Sequence, residues 1–281
     1  MEIDEYKIEP GADLYGANLS GVDLFGVNLS DANLCDANLS NANLSNANLT
    51  GAKLIDANLT GANLTSANLK EANLSGANLT RTVLKNARLI DAILENAKLS
   101  GAKLKDAVLV DANLTGANLE SANLEGANLR EADLSEAKLK GANLSNANLC
   151  DANLLDVDME GANLLGANLS NAYLEDANLT GTNLTNANLS GVNLSGANLC
   201  DANLTDANMY DANLTNANLL RANLKDTYLK RANLTNVNLV GANLQGANVK
   251  YANLTLAVLV SANLEGANME CARLPDGTIH D

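Results

Sequence analysis

The sequence is poor in the residues that fill most protein cores and most catalytic centres. Aromatic residues make up 2% of the 281 residues, with one Phe and no Trp, and the chain has one His and two Pro. Globular domains of this size normally use aromatic side chains for much of their core contact area. The hydrophobic content, 47% of the chain, is instead carried mainly by Leu and Ala. This composition excludes a conventional globular core.

Basic residues and long apolar runs are also scarce. The chain has 18 Lys and Arg against 33 Asp and Glu, so its formal net charge is -15, which argues against direct binding to nucleic acid or to anionic membranes. No run approaches the ~18 apolar residues of a membrane-spanning helix. The first ten residues, MEIDEYKIEP, are acidic and lack the basic and apolar regions of a signal peptide. We therefore expect a cytoplasmic protein that does not associate with membranes.

One position in every five is apolar from Leu14 to Leu274, without a break in register. Of these 53 positions 49 are Leu, and the position two residues earlier is Ala in 45 of 53 cases and otherwise Val or Thr. The residue between them is Asn in 37 of 53 cases. The unit is therefore Ala-Asn-Leu-x-x, whose period fits neither an α-helix nor an uninterrupted strand.

Within each unit, Ala and Leu are two residues apart. Both therefore lie on one face of a short extended segment, while Asn points to the opposite side. The remaining two residues must turn the chain. Of the 53 positions directly before the Ala site, 19 are Gly, 13 are Asp and 9 are Asn, residues that tolerate the positive φ of a type II turn. Short sides joined by such corners predict an all-β solenoid with Ala and Leu inside.

The tandem Ala-(Asn/Asp)-Leu-x-x units over residues 11–274 resemble the pentapeptide-repeat family. The resemblance implies an all-β, right-handed quadrilateral parallel β-helix, a solenoid of about 13 coils with four pentapeptides in each. Each Leu would then stack on the Leu twenty residues away. The outward Asn side chains would form hydrogen-bonded ladders from coil to coil.

The N-terminal segment departs from this register. Residues 1–10 place Asp and Glu where the repeat would have Leu. Solenoids need their open ends covered, so we predict that this segment is a cap containing Ile3, Tyr6 and Ile8. The repeat β-helix then occupies residues 11–274.

The C-terminal segment, residues 275–281, begins with a Pro-Asp-Gly turn. Ile279 then falls back in phase with the Leu sites, which predicts a degenerate last repeat. No capping segment is evident after the last coil. We therefore expect end-to-end association there, or continuation in a longer protein.

Residues 81–110 interrupt the polar pattern of the repeat. None of the six outward sites is Asn, and six basic residues against three acidic ones give this segment a charge of +3. With twenty residues per coil, Lys85 and Lys105 stack with Lys103 beside them. Either outward sites drift freely and neighbouring acids neutralise the lysines, or this surface docks an acidic partner or a second copy. We name as the basic band Lys85, Arg88, Ile90, Lys103, Lys105, Val108 and Val110.

A second departure is an apolar surface towards the end of the repeat. Cys200, Leu220, Val240 and Val260 are twenty residues apart and would stack on one face. A contiguous apolar stripe marks an interface more often than isolated apolar residues do. The stripe therefore predicts contact with a second copy or with another protein. We name as the apolar face Leu220, Val240, Leu256, Val258 and Val260.

The sequence predicts no catalytic, metal or cofactor site. His280 is the only His, and there is no phosphate-binding loop, nucleophile motif or metal-spaced cluster. On coils of twenty residues the four Cys are too far apart for disulfides, so we predict free thiols at Cys35, Cys150, Cys200 and Cys271. The favoured function is a non-enzymatic scaffold or protein-interaction rod with an unidentified protein partner and no cofactor.

The family resemblance implies an alternative function. Some pentapeptide-repeat proteins resemble B-DNA in shape and charge and bind DNA gyrase, a topoisomerase. B-DNA carries about one charge per 1.7 Å, so a net charge of -15 spread over the predicted coils reaches only about 40% of that density. A positive segment also interrupts it, so the scaffold hypothesis is favoured over the DNA-mimic hypothesis.

Overall fold

The computed structural model describes residues 2–3 and 6–281, with side chains from residue 6 onward. The chain forms two compact units, Met1–Asn143 and Leu144–Asp281. Both units are built from short extended segments joined by tight turns, and no helix occurs in the described ranges. An all-β architecture, as predicted, follows from a five-residue period that is too short for a helix.

The first unit opens with two short strands. β1 (Glu2–Ile3) pairs antiparallel with β2 (Tyr6–Lys7), so that Glu2 lies opposite Lys7 and Ile3 opposite Tyr6. Ile8, which follows β2, is buried, while Tyr6 is only partly covered. The side chain of Ile3, predicted to belong to the N-terminal cap, lies outside the described part of the chain.

Parallel bridges between residues twenty apart define the coils of each unit. In the first unit they run from the pair Asp13 and Asn33 to the pair Asn123 and Asn143. In the second unit they run from Asn148 with Asn168 to Asn253 with Arg273. Within each unit, therefore, four pentapeptides make one coil, and each side of a coil pairs with the same side of the next.

Every predicted corner has the backbone conformation that its residue types indicate. All 53 positions before the Ala site have positive φ, between 54° at Asp156 and 72° at Gly196, although 34 of them are not Gly. The N–H at the Ala site closes each turn on the carbonyl three residues earlier, usually that of a Leu, at 2.9 Å from Ala62 to Leu59. At Gly196 a Cβ atom would lie 2.1 Å from the Asp176 carboxylate of the neighbouring coil. Stacking therefore adds a second reason for glycine at that corner.

Leu and Ala side chains fill the interior, and most are completely inaccessible to solvent. Three Ala sites hold Thr instead, and these hydroxyls are buried as well. Each donates a hydrogen bond to a Leu carbonyl: Thr82 to Leu59 at 2.7 Å, Thr182 to Leu179 at 2.8 Å and Thr227 to Leu204 at 3.0 Å. The core therefore accepts a hydroxyl only where a backbone acceptor is within reach.

The outward Asn side chains form the predicted ladders. The Asn188 amide donates to Asn168 Oδ1 at 2.9 Å, and Asn208 donates to Asn188 Oδ1 at 3.1 Å. The same Asn188 oxygen also accepts the N–H of Ser190, two residues later, at 3.3 Å. Each such Asn therefore joins its coil to the next and also braces the turn that follows it.

The prediction of a degenerate last repeat is wrong. After Pro275 the chain turns back, and Ile279 pairs antiparallel with Arg273 instead of parallel with a preceding coil. The His280 N–H bonds to the Ala272 carbonyl at 2.8 Å, and the Ile279 side chain is 52% exposed. Gly277, with φ of 87°, permits this reversal.

Candidate functional site

The basic band lies on two adjacent faces of the first unit. Lys103 bridges Val83 in the preceding coil, and Val108 bridges Arg88. The twenty-residue coils place Lys85, Lys103 and Lys105 on one face and the rest of the band on the next, as predicted. Ile90, Val108 and Val110 are partly buried, whereas Arg88 is exposed.

The three lysines of the band differ in their electrostatic surroundings. Lys105 Nζ lies 2.8 Å from Glu125 Oε1, one coil further on. The hydrogen bond to Glu125 and the attraction of its charge raise the pKa of Lys105. Lys85 and Lys103 are exposed, and no carboxylate of the described residues lies within 4.0 Å of either ammonium group. Neutralisation by neighbouring acids therefore accounts for one of the three lysines.

The apolar face lies in the second unit and becomes more exposed towards its last coil. Leu220 and Val240 are partly buried. Val258 is 44% exposed, while Leu256 and Val260 are each 64% exposed. The three exposed side chains occupy the corner, the outward site and the second turn position of one side of a coil, so they form a contiguous patch.

Cys200, below the apolar face, has polar neighbours. Arg221 forms two hydrogen bonds to the Asp201 carboxylate, at 2.6 and 2.7 Å, and its Nη2 lies 3.6 Å from Cys200 Sγ. The bonds from Arg221 lower the pKa of Asp201, and burial raises the pKa of the Cys200 thiol. A raised thiol pKa disfavours the reactive thiolate.

A third surface, which the sequence analysis missed, combines tyrosines with cations on three successive coils. The Tyr210 and Tyr228 rings stack with centroids 6.2 Å apart and planes 17° from parallel. The Arg231 guanidinium lies 5.8 Å from the Tyr210 ring centroid, and Lys230 Nζ lies 5.9 Å from that of Tyr251. We name this the tyrosine–cation cluster: Tyr210, Tyr228, Lys230, Arg231 and Tyr251.

The sequence contained a signal for this cluster. Three of the six Tyr lie between positions 210 and 251. Written in rows of twenty residues, the sequence places Lys230 above Tyr210, and Tyr251 above Arg231. The signal is invisible along the chain because residues that are neighbours in space are one coil apart in sequence.

The structure shows none of the usual features of a metal or disulfide site in its described part. All four cysteines are free thiols. No three His, Cys, Asp or Glu side chains of residues 6–281 come together in a way that could hold a metal ion. None of the described segments forms a helix long and apolar enough to cross a membrane.

Coils of four pentapeptides, corner residues with positive φ and outward Asn ladders define a parallel β-solenoid. A family model described as pentapeptide repeats matches successive segments from 11–31 to 238–274. The chain belongs to the pentapeptide-repeat family. The predicted resemblance is therefore confirmed over the whole predicted repeat.

Solved structures include several similar chains. HetL, a pentapeptide repeat protein involved in heterocyst differentiation regulation from the cyanobacterium Nostoc sp. strain PCC 7120, is 35% identical, with 83% of this chain and 91% of HetL covered and a TM-score of 0.37. QnrB1, a plasmid-mediated fluoroquinolone resistance protein, is 22% identical over 64% of this chain and 90% of QnrB1, with a TM-score of 0.41. Rfr23 from the cyanobacterium Cyanothece 51142 is 33% identical over 50% of this chain and 62% of Rfr23, with a TM-score of 0.11. No curated protein matches the chain.

Proposed function

We propose that this protein is a non-enzymatic scaffold that binds other proteins through its outward columns. The observation that carries the proposal is the exposed part of the apolar face, where Leu256, Val258 and Val260 are 64%, 44% and 64% exposed. Exposed apolar side chains that form one patch, rather than scattered positions, are typical of interaction surfaces. Burying each of them in an interface would contribute up to about 1.5–3 kcal/mol.

Leu256 supports the same interpretation through its backbone. It occupies a corner with φ of 61°, a conformation that costs a residue other than glycine about 1–2 kcal/mol. Most corners of this chain hold Gly, Asp or Asn. A leucine here therefore exposes apolar area at a corner where polar residues or glycine are usual, and contact with a partner would bury that area.

We propose a second copy of this chain as the partner of the apolar face. An apolar patch can pack against the same patch of a second copy, because its side chains carry no charge. Acidic surfaces of two copies would repel each other, so contact elsewhere on the chain is less favourable. Lysine at Val240 and Val260 is expected to reduce the mass in solution from that of a dimer to the monomer mass of 29.2 kDa. Size-exclusion chromatography with light scattering measures this directly.

Thr215 and Thr235 provide the matched control for that experiment. They are stacked twenty residues apart on another side of the same unit, so lysine at both adds the same charge away from the apolar face. This control should keep the dimer mass. A wild-type protein that runs as a monomer, or a Val240→Lys and Val260→Lys variant that remains a dimer, would rule out this pairing.

We propose the basic band as a docking surface for an acidic protein partner. The proposal is supported by Lys85 and Lys103, which carry positive charge without a carboxylate within 4.0 Å in the described residues. Replacing Lys85, Lys103 and Lys105 by Glu is expected to abolish capture of that partner in pull-downs from the source cells. Lys53→Glu, at an exposed outward site of the same unit, should leave capture unchanged. Identical profiles for the triple variant and the wild type would contradict the proposal.

Several finer expectations stay predictions: a total of about 13 coils, a right-handed sense of coiling, a cytoplasmic location and end-to-end association through the last coils. The DNA-mimic alternative also stays a prediction. The unpaired lysines of the basic band do not favour it, since a DNA mimic needs a continuous acidic surface.

A further inference from the structure

We propose that the tyrosine–cation cluster binds an extended acidic segment of a partner protein, with Lys230 pairing with a carboxylate and the Tyr228 and Tyr251 rings packing against the segment. This site is separate from the apolar face and from the basic band. It does not depend on self-association. The proposal rests on the charges, the ring geometry and the shape of the cluster.

The charges of the cluster leave one cation without a carboxylate partner. Arg231 Nε pairs with Asp211 Oδ1 at 2.8 Å, and Lys250 Nζ pairs with Glu270 Oε1 at 2.7 Å. No carboxylate of the described residues lies within 4.0 Å of Lys230 Nζ. Lys230 is therefore an uncompensated positive charge on a chain whose net charge is -15, and it selects for an anionic group.

The rings around this cation are held in place by their neighbours. Two ammonium groups lie near the Tyr251 ring, with Lys250 Nζ 5.1 Å and Lys230 Nζ 5.9 Å from its centroid. The Tyr210 ring stacks on Tyr228 and also lies close to the Arg231 guanidinium. Rings fixed in this way lose little further freedom on binding, which favours affinity. Tyr and Arg are also the residues most enriched at the energetic centres of protein interfaces.

Two corners of the cluster hold bulky residues in the left-handed region. Arg231 has φ of 65° and Tyr251 has φ of 61°, where a residue other than glycine costs about 1–2 kcal/mol. These two corners are stacked one coil apart. Arg and Tyr here replace the Gly, Asp or Asn found at most corners, so a cation and a ring lie one above the other beside Lys230.

The shape of the cluster favours a peptide over a small molecule. Tyr210, Asp211, Lys230, Arg231 and Tyr251 line an open depression on the surface, whereas small-molecule sites enclose most of their ligand. An extended peptide that runs across the coils could contact the cluster residues of all three coils. Nucleic acid is disfavoured, because a single unpaired cation neutralises few phosphates and the surrounding chain is acidic.

Fluorescence anisotropy with the full chain tests the proposal. The probe is a fluorescein-labelled ten-residue peptide of alternating Glu and Tyr. The wild type is expected to bind it saturably, and Lys230→Glu should weaken binding by about tenfold or more because it replaces an attractive charge by a repulsive one. Tyr251→Ala should also weaken binding, whereas Lys230→Arg should retain it. Tyr251 is exposed and Lys230 is partly buried, and circular dichroism verifies that each variant is folded.

Four controls define the results that would overturn the proposal. Lys225→Glu, on another side of the same coil, and the triple reversal of the basic band should both leave binding unchanged. A peptide of alternating Lys and Tyr and a ten-nucleotide single-stranded DNA should both bind more weakly than the acidic peptide. Absence of wild-type binding at about 1 mM peptide, equal loss in Lys225→Glu, loss only in the basic-band variant, or tighter binding of the DNA would each refute it.

Discussion

Replacing Leu224 by alanine is expected to lower the free energy of unfolding by about 3–5 kcal/mol. Leu224 is fully buried and stacks between Leu204 and Leu244 in a column of leucines twenty residues apart. Its N–H is bonded to the Asn243 carbonyl at 2.7 Å, so the backbone is fixed by the next coil and cannot collapse into the cavity. Urea denaturation followed by far-ultraviolet circular dichroism measures the loss.

Leu264→Ala is the matched control because Leu264 belongs to the same column but to the last coil. It is only partly buried, so the truncation removes less buried area and opens the site to water instead of leaving a void. We expect a loss of less than about 2 kcal/mol. Equal losses at the two positions would mean that stacking between coils does not determine the stability of the core.

Proline at Asn188 is expected to destabilise the second unit by about 2–4 kcal/mol. The substitution removes the N–H that bonds to the Ala167 carbonyl at 2.9 Å. Ala167 is completely buried, so its carbonyl would be left without a donor, at a cost of about 1–3 kcal/mol. The ladder bond from Asn188 to Asn168, at 2.9 Å, is lost as well. The midpoint of urea unfolding reports the change.

Ser190→Pro is the control, two residues further along the same side. Its N–H makes only the 3.3 Å contact with Asn188 Oδ1, and the second position of a type II turn favours proline. Both natural prolines, Pro10 and Pro275, occupy the same position of the five-residue period. We therefore expect a change within about 1 kcal/mol. A loss at Ser190→Pro as large as that at Asn188→Pro would show that the two positions do not differ in their backbone bonding.

The repeating part of the fold could be predicted from the sequence because each residue type in the unit has one physical role. Leu and Ala were assigned to the interior, and Gly, Asp and Asn to corners of positive φ. The structure agrees at residues as different as Leu74, which is buried, and Arg81, which has φ of 57°. The outward Asn ladders followed from the same alternation.

The C-terminal reversal could not be predicted from the period. The phase of Ile279 indicates which direction the side chain would face if the coil continued, but it carries no information on whether it does. The outcome is decided by local bonds, namely Leu274 to Thr278 at 2.8 Å and Arg273 Nη1 to the Gly277 carbonyl at 3.1 Å. These depend on contacts within the last few residues and not on the repeat.

The tyrosine–cation cluster was missed for a different reason. The departures in residues 81–110 are close together in the chain, and the apolar stripe repeats one kind of side chain every twenty residues, whereas the cluster mixes rings and cations at different positions of the period. Tyr210, Lys230 and Tyr251 are dispersed over three coils, and each one alone looks like an ordinary substitution at a site outside the Ala and Leu positions. Their proximity is a property of the coil length, which the residues of a single pentapeptide do not encode.

Because a coil has twenty residues and the repeat has five, changes in chain length affect the core and the surface differently. Inserting or deleting one pentapeptide leaves every Leu and Ala facing inward, so the interior tolerates the change. It nevertheless moves every later outward residue by one quarter of a coil relative to the earlier ones. Between Tyr210 and Lys230, such a change would place Lys230 above a different side and dismantle the cluster. A duplication of twenty residues, by contrast, lengthens the columns without rearranging them. Insertions or deletions of one pentapeptide are therefore expected to preserve the packing of the core but to change which surface residues are neighbours.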